Sequence, residues 1–106
     1  MGNLWSNPPV LGFAAFSGSG KTTLVAGVLP LLLEHQLRIG VIKHSHHDFE
    51  IDQPGKDSHR LRMAGASQTL IASPWRTAWI RESRQAREPQ LQELLLTMQR
   101  DTLDLI

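Results

Sequence analysis

Residues 15–22 read Ala-Phe-Ser-Gly-Ser-Gly-Lys-Thr, and they are the strongest signal in the sequence. It fits the P-loop pattern, a glycine-rich turn followed by Lys and Thr, except that Ala15 stands where the first glycine usually lies. The apolar run from Val10 to Phe16 leads into it, and apolar residues at helical spacing follow it. The order strand, loop, helix that a P-loop requires is therefore predicted here.

The residue types of this loop predict that it binds nucleotide phosphates. Glycine permits backbone angles that turn successive N–H groups to one side, and these groups hold phosphate oxygens together with the positive end of the next helix. We expect Lys21 to contact the β- and γ-phosphates, Thr22 to bind Mg²⁺ and Thr23 to bond to the α-phosphate. The predicted phosphate-binding residues are Ser17, Gly18, Ser19, Gly20, Lys21, Thr22 and Thr23.

The rest of the chain alternates between apolar runs and helical patterns. Strands are predicted at 10–16, 38–43, 68–72, 77–82 and 103–106, and helices at 21–36, 57–64 and 90–99. Within the first helix Pro30 cannot donate a hydrogen bond to the carbonyl of Ala26 and should kink the axis. The strand at 77–82 should return against the strand at 68–72.

This alternation predicts an α/β fold, a three-layer sandwich with a mainly parallel sheet. The length of 106 residues suits a single domain over residues 1–106. Because the chain ends inside an apolar run, we expect it to be the N-terminal portion of a longer protein.

The composition argues against several classes of function. With 11 Lys+Arg and 10 Asp+Glu, the chain has too little net charge for nucleic acid or an acidic membrane to be its main partner. It has no cysteine, which excludes a disulfide scaffold, a zinc–thiolate site, an iron–sulfur cluster and a cysteine nucleophile. No uncharged apolar run reaches about 18 residues, so no membrane span is predicted.

A polar segment, Lys-His-Ser-His-His-Asp-Phe-Glu-Ile-Asp at 43–52, follows the second predicted strand. In α/β folds ligands lie beyond the carboxyl ends of the strands, so we expect this segment to lie near the phosphate loop. One interpretation gives Asp48 or Asp52 to Mg²⁺, directly or through water, with a role in placing water at the γ-phosphate. The other interpretation is a solvated loop.

The three histidines of this segment, His44, His46 and His47, raise the question of a zinc site. Their spacing matches no zinc-ligand pattern. Hydrogen bonds to a substrate phosphate or to a partner surface are the favoured interpretation.

The middle of the chain is basic and aromatic. Residues 38–87 hold nine Lys/Arg against five Asp/Glu, which suits a phosphorylated ligand, an acidic partner or a mixed solvated surface. Trp75 and Trp79 fall on the predicted hairpin. They are either core residues or an exposed anchor for another chain.

Four segments together resemble one protein family. They include Lys-His-Ser-His-His-Asp at 43–48 and Asp-Gln-Pro-Gly-Lys-Asp-Ser at 52–58, which are far more specific than a P-loop alone. With the segments 12–24 and 64–73, they are similar to MobB, the family of molybdopterin-guanine dinucleotide biosynthesis adaptor proteins. The resemblance covers roughly residues 10–106, nearly the whole chain.

This resemblance implies a P-loop NTPase fold and a bacterial, cytoplasmic, homodimeric protein that binds GTP with Mg²⁺ and has weak GTPase activity. Family members are thought to assist the guanylyltransferase MobA, which joins GMP to molybdopterin. Molybdopterin itself and molybdoenzyme-maturation proteins are further partners that it allows. The run Leu103 to Ile106 is similar to the one that precedes the family's acidic Walker B residue, and the sequence stops before that residue. The preference for GTP follows from the resemblance alone.

Two other functions fit the residues. A P-loop kinase for a small metabolite would use Arg60 and Arg62 to clamp the acceptor. A partner-binding module that works without nucleotide would use the hairpin that carries Trp75 and Trp79.

Overall fold

The computed structural model describes residues 4–14, 20–45, 49, 51–52, 55–83 and 85–106. The chain divides into two compact units, one formed by Met1–His44 with Pro89–Ile106 and the other by Ser45–Glu88. Within the described residues the secondary structure is mixed, with three α-helices, one 3₁₀ helix and a two-stranded sheet. The α/β class is thereby confirmed, whereas the three-layer sandwich stays a prediction.

In the first unit, helix α1 spans Lys21–Leu33 and begins at Lys21 as predicted. It continues through Pro30 for another three residues and ends earlier than the predicted residue 36. The tighter bonds from His35 N–H to the Leu32 carbonyl (3.1 Å) and from Gln36 N–H to the Leu33 carbonyl (2.9 Å) close its last turn. Gln36 then takes a positive φ of 60°, which stops helical propagation.

Residues 104–106 lie between two other segments of the first unit. On one side Gly40 N–H donates to the Leu105 carbonyl at 2.9 Å, and Ile39 and Leu105 form a parallel bridge. On the other side Ile106 N–H donates to the Pro9 carbonyl at 3.0 Å, and the Ile106 carbonyl accepts from Leu11 N–H at 2.8 Å. One residue bonding to both neighbours of its partner is the pattern of parallel pairing. Residues 104–106 therefore run parallel to both neighbouring segments and are joined to them by backbone hydrogen bonds.

The sequence predicted full strands at 10–16, 38–43 and 103–106. In the described part of these segments that prediction is wrong, because the residues form isolated bridges and single hydrogen bonds and no continuous strand. The sheet that the described residues do form is antiparallel, so a mainly parallel sheet is not what they show. A physical reason lies at Arg38, whose backbone N–H donates to the Asp104 carboxylate at 2.8 Å instead of to a carbonyl. The backbone pairing between the segments at 38–40 and 104–106 therefore does not extend past Arg38, because the Asp104 side chain accepts the hydrogen bond of the Arg38 N–H.

The ion pair between Arg38 and Asp104 makes the stability of this unit depend on pH. The hydrogen bonds from Arg38 hold the pKa of Asp104 below its ordinary value. A carboxyl whose folded pKa is lowered stabilises the fold above its unfolded pKa, about 3.9, and loses that contribution as the pH falls through the folded value. Asp104→Asn is therefore expected to flatten the decline in unfolding free energy below about pH 4. Urea denaturation from pH 7 to 3 measures this decline, with Glu34→Gln as the control at an exposed carboxylate. Equal slopes of unfolding free energy against pH for Asp104→Asn and wild type would contradict the prediction.

Gly40 is buried beside the same segment and leaves no room for a side chain. A Cβ at this position would lie 2.6 Å from Leu103 Cδ1 and 2.9 Å from Met98 Cε. We expect Gly40→Ala to lower the unfolding free energy by about 1–3 kcal/mol, since neighbouring side chains must shift. Gly27→Ala is the matched control, because nothing lies within 4 Å of a Cβ there and alanine favours its helix. Chemical denaturation that ranks Gly40→Ala equal to wild type would refute this.

The buried core of the first unit centres on helix α3, Leu91–Thr97. Leu95 is 0% exposed, the one large hydrophobic side chain that is fully buried in the part of the chain the structure describes. A 3₁₀ helix at Arg100–Thr102 follows. The predicted helix at 90–99 is confirmed with slightly narrower bounds.

The second unit contains helix α2, Asp57–Met63, and strands β1, Gln68–Ala72, and β2, Thr77–Arg81. All three were predicted within one or two residues. Asp57 lies in the first turn of α2, where a carboxylate favours the positive helix end. Gly65, just past the helix, has a φ of 120° that glycine alone adopts without strain.

Strands β1 and β2 form the predicted antiparallel hairpin, and α2 lies against β1. The Ser73 hydroxyl accepts hydrogen bonds from the N–H groups of Trp75 (3.2 Å) and Arg76 (3.3 Å), which fixes the turn. In the register Leu70 faces Trp79, so these two side chains share one face of the hairpin.

Helix α1, in the first unit, leaves several of its apolar side chains exposed. It has no buried residue, and Leu24, Leu31 and Leu33 are all more than half exposed. Among the described helices, none combines the length and the hydropathy needed to cross a membrane.

Candidate functional site

The first candidate site is the N-terminus of α1. Gly20 caps the helix with φ 87° and ψ 11°, the left-handed conformation that the glycine of a phosphate loop permits. The first bond within the helix runs from Leu24 N–H to the Gly20 carbonyl at 2.9 Å. In such a helix the N–H groups before Leu24 have no helical acceptor, and groups of this kind can bind an anion.

The charge around this terminus also suits an anion. No acidic residue lies in the first turn of α1, and its N-cap residue Gly20 has no side chain to cap the helix. Lys21, Thr22 and Thr23 occupy that turn and are exposed. Two donors and a cation therefore stand at the positive end of the helix dipole. Predicted residues Ser17, Gly18 and Ser19 lie outside the described residues.

The second candidate site was the pair of carboxylates after the second predicted strand. Asp48 lies outside the described residues. Asp52 is described, and Arg62 of α2 binds both of its oxygens, with Nη2–Oδ1 at 2.6 Å and Nε–Oδ2 at 3.1 Å. The two side chains are only 5% and 7% exposed. Whether the Asp52 carboxylate also meets a metal stays a prediction.

The pairing sets the charge state of Asp52. The hydrogen bonds from Arg62 lower the pKa of this carboxyl, an effect that outweighs the opposing influence of its burial. Asp52 is therefore ionised at neutral pH, and its charge is neutralised within the second unit.

Glu82, just past β2, completes a group of three that sequence reasoning missed. Arg62 Nη1 donates to Glu82 Oε1, while the same guanidinium holds Asp52. Arg62 was predicted to clamp the acceptor of a metabolite kinase, but in the structure its guanidinium is engaged by these two carboxylates. Residues 62 and 82 are 20 positions apart, and no spacing rule links them.

The predicted histidine cluster is described only in part. His44 is exposed, whereas His46 and His47 lie outside the described residues. Across the ranges that the structure does describe, no three His, Cys, Asp or Glu side chains come together to hold a metal ion.

The third candidate site is the exposed face of the β1–β2 hairpin. Trp75 at the turn is 84% exposed, Leu70 is 68% exposed and Trp79 is 46% exposed. Trp79 is oriented by its Nε1–H, which donates to Gln68 Oε1 at 2.9 Å, and by Arg81, whose guanidinium lies 5.5 Å from the ring centroid. Trp75 and Trp79 are therefore exposed residues and not core residues.

Comparison with known proteins bears on all three sites. A family model described as Molybdopterin guanine dinucleotide synthesis protein B matches residues 10–106. The chain is 50% identical over 98 residues to a molybdopterin-guanine dinucleotide biosynthesis adapter protein from Escherichia coli, covering 92% of this chain and 56% of that protein. It is 47% identical over 75 residues to a protein of the same name from Haemophilus influenzae, covering 71% of this chain and 42% of that protein.

A more distant relative is a putative molybdopterin-guanine dinucleotide biosynthesis adapter protein from Methanocaldococcus jannaschii, 39% identical over 70 residues, which are 66% of this chain and 29% of that protein. The chain thus spans about half the length, or less, of the relatives it matches. The match to the family model includes the phosphate loop, the segment with Asp48 and Asp52, and the hairpin.

Proposed function

We propose that this chain, which belongs to the molybdopterin guanine dinucleotide synthesis protein B family, is a GTP-binding adaptor that assists attachment of GMP to molybdopterin. The proposal is supported by the names of its relatives, which are adapter proteins of molybdopterin-guanine dinucleotide biosynthesis. The observation that carries the nucleotide part is the α1 terminus, where Gly20 is left-handed and Lys21 is exposed with no carboxylate in the first turn.

In this proposal the residues Ser17 to Thr23 hold the phosphates of GTP. Lys21 compensates the charge of the β- and γ-phosphates, and Thr22 offers its hydroxyl to Mg²⁺. Of the two carboxylates predicted for the metal side, Asp48 and Asp52, the proposal retains Asp48. Arg62 already engages both oxygens of Asp52, which argues against Asp52 in that role.

Any GTP hydrolysis is proposed to be weak and to depend on positioning. Water would attack the γ-phosphate, and the loop N–H groups with Lys21 would stabilise the charge of the transition state. No described side chain is assigned as a general base.

The proposed partners are a guanylyltransferase of the MobA type, which would use the GMP moiety, and a second copy of the chain in a homodimer. Cytoplasmic location belongs to the same proposal.

Competition binding tests the choice of nucleotide. A fluorescent GTP analogue is bound to the full chain, and unlabelled GTP or ATP is added with Mg²⁺ or with EDTA. The proposal expects GTP to displace the analogue at lower concentration than ATP, and EDTA to weaken both. Equal displacement by GTP and ATP would contradict GTP specificity.

A second candidate function, a partner-binding module independent of nucleotide, is favoured by the hairpin face. Its exposed Leu70, Trp75 and Trp79 lie with Arg76 and Arg81 on the same short hairpin. This combination suits a partner surface that presents apolar side chains with carboxylates beside them.

Trp75→Ser is expected to weaken partner association about tenfold or more, because a large aromatic side chain at 84% exposure has its area free for an interface. Binding of the variant to surface-immobilised MobA-type guanylyltransferase measures this effect. Trp5→Ser, in the first unit, is the matched control. Sedimentation of both variants separates loss of a heterologous partner from loss of a second copy. Unchanged association by Trp75→Ser in both assays would remove the hairpin from the proposal.

A further inference from the structure

Arg62 joins three segments of the second unit through one side chain. It projects from α2 and donates to Asp52 in the preceding loop and to Glu82 just past β2. We call these three residues the Arg62 clamp. They come from separate positions in the chain, and Arg62 is their common partner.

The chemistry of the clamp demands arginine. A planar guanidinium presents donors along two edges, so it can bind both oxygens of one carboxylate and still donate to another. Lysine keeps the charge but offers a single ammonium, which cannot reproduce this geometry. Because Arg62 and Asp52 are 7% and 5% exposed, loss of either partner leaves a charge shielded from water.

The clamp sits at the open end of the hairpin. Glu82 N–H donates to the Ser67 carbonyl at 2.9 Å, one position beyond the terminal pair of Gln68 and Arg81. The turn with Trp75 is at the other end of the same hairpin. Fixing Glu82 to α2 and to the Asp52 loop therefore fixes the base from which the exposed hairpin face projects.

We propose that Arg62 is a positioning residue for the hairpin, and that Asp52 serves this clamp and not a metal ion. Arg62 holds the open end of β1–β2 against α2 and so sets the direction of the face that carries Leu70 and Trp79. The importance of Arg62 for partner binding rests on the proposed function of that face. The role of Arg62 in holding the hairpin is independent of that function.

Hydrogen exchange of the full chain tests the clamp with matched variants on one helix. Arg62→Lys is expected to speed exchange at Glu82 and the adjoining hairpin amides about tenfold, as expected when a buried charged hydrogen bond is lost. Exchange in α1 should stay as in wild type. Arg60→Lys, at an exposed position of α2, should change neither.

A thermodynamic cycle adds a readout that general destabilisation would not produce. Asp52→Asn alone should speed exchange at the same hairpin amides, and combining it with Arg62→Lys should add little, because both break one network. Fully additive effects would show that the two side chains act separately and would overturn the proposal.

Two further outcomes would also overturn it. Equal acceleration of α1 and the hairpin by Arg62→Lys would make Arg62 a residue of general stability. A changed Mg²⁺ requirement for GTP in Asp52→Asn, with hairpin exchange as in wild type, would make Asp52 a metal-side residue. If the wild-type chain binds no GTP, the proposed function fails, and the exchange experiment still decides the role of Arg62.

Discussion

Replacing Lys21 with alanine is expected to weaken GTP binding by about 10- to 150-fold. Hydrogen bonds to charged groups contribute about 1.5–3 kcal/mol, and each 1.4 kcal/mol is a factor of ten in affinity. Lys21 is the first residue of α1 and lies exposed in the helical turn proposed to face the phosphates. Its removal takes the cation from that turn and leaves the backbone donors in place.

The rise in melting temperature on addition of GTP and Mg²⁺ measures this effect, because a ligand stabilises only the state that binds it. Lys21→Ala should show little rise at nucleotide concentrations that stabilise the wild type. Lys56→Ala is the control, since Lys56 is an exposed lysine at the start of another helix, α2. An equal rise in Lys21→Ala and wild type would remove Lys21 from the binding site.

Leu95→Ala is expected to lower the unfolding free energy by about 2–5 kcal/mol, the range for truncating a buried leucine. Leu95 is 0% exposed on α3, and the described residues offer no second large apolar side chain buried to that degree. Domains of this kind are held together by about 5–15 kcal/mol in total. The substitution should therefore remove a large part of the stability.

Leu96→Ala is the matched control because the neighbouring leucine is 66% exposed. The two variants remove the same atoms from adjacent positions of one helix, so helix propensity cancels between them. Urea denaturation should show a large drop in the midpoint for Leu95→Ala and a small one for Leu96→Ala. Similar midpoints for the two variants would contradict the assignment of Leu95 to the core.

The hairpin and the start of α1 could be predicted because their signals are local. Ser73 and Pro74 break two β-branched and aromatic runs, and the Ser73 hydroxyl supplies the turn bonds that such a break predicts. Gly20 and Lys21 mark the change from loop to helix within two residues. Short-range backbone preferences therefore suffice for these elements.

Other features depend on residues far apart in the chain. The bonds of Arg62 to Asp52 and Glu82 join positions 10 and 20 residues apart, and charge counts alone suggested only a basic surface. The predicted strand at 38–43 failed partly because Asp104 takes the Arg38 N–H across 66 residues. Tertiary partners of this kind override the local pattern.

Calorimetric titration of GTP with Mg²⁺ into the wild-type chain and into Lys21→Ala tests the central claim most directly. We expect a saturable heat of binding for about one GTP per chain, weaker binding of ATP, and loss of the GTP signal in Lys21→Ala. No binding of GTP to the wild type, or the same binding by both proteins, would contradict it.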